Sequence, residues 1–77
     1  MINKAIFEEN WDLIRSRSTE RWSLMVDYDL SKVDKAEVKL NKFITMLRVK
    51  YGYTQEKARE ELGRFWVDYV AKSKTGP

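Results

Sequence analysis

Cysteine and histidine are both absent from the 77 residues. The first absence excludes a disulfide framework and a thiolate metal site. The second removes imidazole, the usual general base at neutral pH and the usual zinc ligand. Carboxylates, lysines and tyrosines remain, and a protein that is not an enzyme and needs no cofactor is the expectation. Glycine is sparse as well: Gly52, Gly63 and Gly76 are scattered, so there is no glycine-rich phosphate loop. Long apolar runs are missing. Leu24-Met25-Val26 is among the longest, far short of the ~20 residues that cross a bilayer. Nothing reads as a signal peptide, so a cytoplasmic location away from membranes is expected. No segment alternates apolar and polar residues as a half-buried strand would.

What the chain does contain is enough for a core. Hydrophobic residues make up 43% of it, with three Trp, four Tyr and three Phe, which argues against a disordered segment. The length suits one domain, expected over residues 1–71, with a frayed, disordered tail at 72–77. A formal net charge of +3 permits anionic partners without demanding them.

The apolar spacing predicts an all-α fold. Asn3 is a suitable N-cap, with Ile2 and Phe7 placed as a hydrophobic staple. Phe7, Trp11, Ile14, Ser18, Trp22 and Met25 then step by three and four along one stripe. Ser16 to Thr19 are poorer helix formers, and a kink or break is expected there, with Trp11 and Trp22 facing inward. Asp27-Tyr28-Asp29 reads as a connection. From a cap at Ser31 or Asp29, the residues Val33, Ala36, Leu40, Phe43 and Leu47 predict one long helix ending at Gly52. Gly52 is placed to take the left-handed conformation that closes it, and Thr54 to cap a last helix. That helix carries Ala58, Leu62, Phe65, Trp66, Tyr69 and Val70 on one side. It also carries the opposite-charge pairs Lys57/Glu61, Glu60/Arg64 and Asp68/Lys72 at i,i+4.

Several of these residues together resemble the CsbD-like family of small bacterial general stress-response proteins. They are Asn10-Trp11, Trp22, Asp29-Leu30, Tyr51-Gly52-Tyr53, Lys57-Ala58, Glu61-Leu62 and Phe65. The resemblance runs from about residue 8 to residue 66 and is most specific from Arg48 to Phe65. Ser23 stands where the family usually has glycine after the second tryptophan. Tyr28 separates Asp27 from Asp29 where an acidic run is usual, and Thr45 replaces a helix glycine. The chain therefore looks like a divergent member with a longer middle stretch. The resemblance implies a compact bundle of about four helices, arranged as two roughly orthogonal α-hairpins. It also implies a stress-related role of unassigned molecular activity, and it supplies no catalytic residues.

Two basic groups are the candidate anion or nucleic-acid contacts. Lys32, Lys35, Lys39 and Lys42 form a stripe along the expected middle helix, and Arg15, Arg17 and Arg21 form a second group. They would grip phosphates without reading sequence. A solvated face that keeps a small domain soluble is the preferred account of the same residues. Likewise the aromatic residues at helical spacing read as core rather than as base-stacking platforms. The adjacent carboxylates Glu8-Glu9 and Glu60-Glu61 point different ways on a helix and form no dyad. The overall expectation is a protein acting through its surface on an unidentified protein partner, with nucleic acid as the alternative. It would be a monomer, or a weak homodimer joined through Phe65, Trp66 and Tyr69.

Overall fold

In the computed structural model of the chain, residues 2–75 are described, with side chains up to Ala71. Five helices follow one another: α1 (Lys4–Glu9), α2 (Trp11–Arg21), α3 (Asp27–Asp34), α4 (Lys39–Tyr51) and α5 (Gln55–Thr75). No strand occurs among the described residues, so the all-α expectation holds, with five helices where about four were expected. Three caps lie where the sequence placed them. Asn3 Oδ1 accepts from the Ile6 N–H at 2.9 Å, and Thr54 Oγ1 from the Lys57 N–H at 3.1 Å. Gly52 closes α4 at φ 68°, a conformation that costs an L-residue about 1 kcal/mol or more. The helix α5 continues through Thr75, into the stretch expected as a tail, and Gly76 and Pro77 lie outside the described residues.

Three boundaries differ from expectation. The first stripe does not break at Ser16–Thr19; it breaks at Asn10, whose side-chain amide and backbone N–H both donate to the Ile6 carbonyl. A side chain that bonds the preceding turn in this way competes with helix continuation. The helix α2 runs on through the serines, with Ser16 Oγ donating to the Leu13 carbonyl and Ser18 Oγ to the Arg15 carbonyl. Ser18 can therefore be fully buried without an unsatisfied hydroxyl. Second, Asp27-Tyr28-Asp29 is the first turn of α3 and not a connection. Neither Ser31 nor Asp29 is its N-cap. That position is Val26, whose N–H donates to Asp29 Oδ2 at 3.2 Å, half of a capping box.

Third, the expected long middle helix is two helices, broken at Lys35–Val38. Contacts distant in sequence stabilise the break. At the end of α3, Asp34 accepts from Trp11 Nε1 and from Arg15 Nε, at 3.2 Å to each oxygen for the latter. At the start of α4, Val38 offers no capping side chain, and Glu8 of α1 supplies one: its Oε2 accepts from the Leu40 N–H at 2.9 Å. A carboxylate there also complements the positive end of the helix dipole.

The core is organised around α4, on which α1, α3 and α5 all pack. Phe43 of α4 is fully buried and meets three rings: Phe7 and Trp22 at 5.5 Å and Trp11 at 5.8 Å between centroids. Trp22 in turn meets Phe65 of α5 at 5.3 Å. Aromatic pairs at these separations add about 0.5–1.5 kcal/mol beyond the area they bury. Tyr51 anchors the far end, its hydroxyl accepting from the Leu24 N–H at 3.0 Å and its ring stacking on Tyr53. Both tryptophans expected to face inward do so.

Candidate interaction surfaces

The helices set the sequence's two basic groups into unlike surroundings. On α2, each arginine faces carboxylates. Arg15 is held by Asp34 and lies 3.8 Å from Asp27, while Arg17 lies 3.9 Å from Glu20 and over the Tyr69 ring at 6.0 Å. Arg21 bridges Glu61 at 3.3 Å and Asp68 at 3.6 Å. Arg15 and Arg21, each beside two carboxylates, are poor phosphate ligands, because the neighbouring negative charge repels a further anion. On the other side, the break at Lys35–Val38 divides the lysine stripe. Lys32 belongs to α3, where its ammonium sits 4.5 Å from the Tyr28 ring centre, and Lys35 to the turn. Lys39 and Lys42 belong to α4. The four lysines therefore do not share one helix face.

A cleft of about 340 Å³ opens between the end of α2 and the middle of α5, lined by Arg17, Glu20, Arg21, Phe65, Asp68 and Tyr69. Beside it Glu61 gathers Lys57 at 3.2 Å, Arg21 at 3.3 Å and Arg64 at 3.8 Å. The hydrogen bond from Lys57, joined by that from Arg21, lowers the Glu61 pKa against a partial burial that pushes it the other way. A carboxyl whose folded pKa lies below its unfolded one stabilises the fold above the unfolded value, about 4.3, and loses that contribution as pH falls through the folded value. Glu61→Gln is therefore expected to be less stable than the wild type at neutral pH. In urea titrations from pH 7 to pH 3, the gap between the two proteins should narrow as pH falls below the unfolded value. A gap that stays constant would remove Glu61 as the cause.

Two further surfaces remain. Trp66, Val67, Val70 and Ala71 form a shallow apolar face on the outer side of α5, with Val67 56% exposed and Trp66 resting on Tyr69 at 5.7 Å. The outer side of α4 carries Asn41, Thr45, Arg48 and Val49, all exposed, with Lys42 half-buried beside them. Spacing by three and four does not separate α4 from α3, so it does not set this second group apart. The signal was present nonetheless: residues 38–55 contain no Asp or Glu. Among the described residues no three carboxylates are grouped to hold a metal ion. None of the described helices is long and apolar enough to cross a membrane.

The chain is similar to a UPF0337 protein. That relative, from Pectobacterium atrosepticum, is 28% identical over 68 residues, an overlap covering 88% of this chain and 93% of the relative. No family model and no solved structure matches the chain. The overlap includes the Tyr51-Gly52-Tyr53 junction, whose residues have structural work here: Gly52 closes α4, and Tyr51 ties it to Leu24.

Proposed function

We propose that the chain is a divergent member of the CsbD-like family, to which UPF0337 proteins belong, and that it is a stress-associated protein which acts by binding and not by catalysis. The similarity over most of both chains supports the family. The observation that carries the non-catalytic reading is the occupancy of the α2–α5 cleft. Its arginines and carboxylates are engaged with one another, so none stands ready as an acid, a base or an oxyanion ligand. The relative's name carries no activity, and the stress association comes from the family resemblance. It is tested by measuring the protein's abundance in its own host before and after starvation and osmotic upshift. A several-fold rise is expected, and an unchanged level under both would overturn the stress reading. Nucleic acid is the second reading for the partner, favoured by the carboxylate-free stretch from Val38 to Gln55.

A further inference from the structure

We propose that the outer face of α4 docks double-stranded DNA, entering the major groove with Asn41, Lys42, Thr45, Arg48 and Val49. The inference deepens the surface-binding reading and rests on it. Four observations converge. First, α3, the Lys35–Val38 turn and α4 form two packed helices joined by a four-residue connection. That is the connectivity of a helix-turn-helix, in which the second helix reads DNA. Second, the charge suits a polyphosphate. No acidic residue occurs from 38 to 55, and among the described residues no carboxylate pairs with Lys39, Lys42 or Arg48. Lys50 is the exception on α4, bound to Asp29 at 3.2 Å.

Third, the side chains have the right chemistry at the right spacing. Residues 41, 45, 48 and 49 recur at three and four, so they share a face. Arginine pairs with guanine edges, asparagine with adenine, and the methyls of threonine and valine suit the thymine methyl. Val49 is 73% exposed, an apolar side chain on a cationic face and outside the buried core. Fourth, two of the nearby carboxylates are already engaged. Asp34 is occupied by Trp11 and Arg15, and Glu8 holds the Leu40 N–H at the start of α4. Glu8 keeps a phosphate away from the first amides of α4, and Glu37 is exposed in the turn. Contact is therefore centred one to three turns along the helix, at Lys42 through Val49.

The test uses the full chain and a mixed-sequence duplex in fluorescence anisotropy. Binding is expected at low salt, weakening about tenfold between roughly 50 and 200 mM if two phosphates are neutralised. The double variant K42Q/R48Q should lower the salt slope by about 2, whereas R64Q, whose arginine is paired with Glu60, should leave it unchanged. Amide shift changes on adding the duplex should cluster on Asn41 to Val49. The proposal is overturned by no binding at about 50 mM salt, by an unaltered slope in K42Q/R48Q, or by shifts that cluster on Trp66, Val67 and Val70. Displacement by polyglutamate as effective as by duplex would overturn it too, pointing to an acidic protein instead. Any of these outcomes leaves the abundance experiment to judge the stress reading separately.

Discussion

Phe43→Ala is expected to be among the most damaging single substitutions in this protein, lowering stability by about 3–5 kcal/mol. Phe43 has no exposed surface, and its ring is the meeting point of Phe7, Trp11 and Trp22. Truncation leaves a cavity walled by three large rings. Such rings have few rotamers with which to close it. It also removes three aromatic contacts at once. A domain this small has only about 5–15 kcal/mol in total, so the variant would sit close to its unfolding threshold at 37 °C. Urea denaturation followed by tryptophan fluorescence reads the effect directly, since Trp11 and Trp22 both border the site. Phe43→Leu, which refills most of the volume, should lose markedly less. Equal losses for the two variants would show that the cavity is not the cause.

Asp29→Ala is expected to cost about 2 kcal/mol, through two contacts that fail together. The Asp29 carboxylate is buried, at 7% side-chain exposure, and its Oδ2 both accepts the Val26 N–H and faces Lys50 Nζ at 3.2 Å. It thus begins α3 and ties α3 to the end of α4. Removing one partner of a fully buried ion pair costs about 3–5 kcal/mol. Here Lys50 is 34% exposed and water can take over its ammonium, which reduces the penalty. Asp29→Asn separates the two roles, because an amide oxygen still accepts from Val26 while the charge is gone. The asparagine variant should fall between wild type and alanine in thermal melts. If it matched alanine, the ion pair would carry the whole effect and the cap none.

Local chemistry was legible wherever one residue and its near neighbours decide the outcome. Asn3, Gly52 and Thr54 each end or start a helix through a bond within about one turn or through their own backbone freedom, so their positions could be read directly. The inward set of Phe7, Trp11, Ile14, Trp22, Phe43, Leu47, Leu62 and Phe65 followed from spacing by three and four. The break at Asn10 was also readable in principle, since an asparagine amide bonding four residues back is a local event. The serines misled because their cost in a helix depends on whether the hydroxyl finds a carbonyl, and here it does.

The amino-acid order alone determined an all-helical chain, its junction at Gly52, its inward aromatic residues and the absence of thiol or imidazole chemistry, because those properties reside in single residues and their spacing. Tertiary structure decided that the middle stretch is two helices. The apolar positions step evenly across residues 33–43, so periodicity cannot see a break that is fixed by Trp11 and Arg15 on Asp34 and by Glu8 on the Leu40 amide. It also decided which charges are free. The arginines of α2 find carboxylates on α3 and α5 as well as Glu20 nearby, whereas Lys42 and Arg48 of α4 find none among the described residues. The pairs between α2 and the helices α3 and α5 join residues 12 to 47 positions apart, a distance over which a linear pattern carries no information.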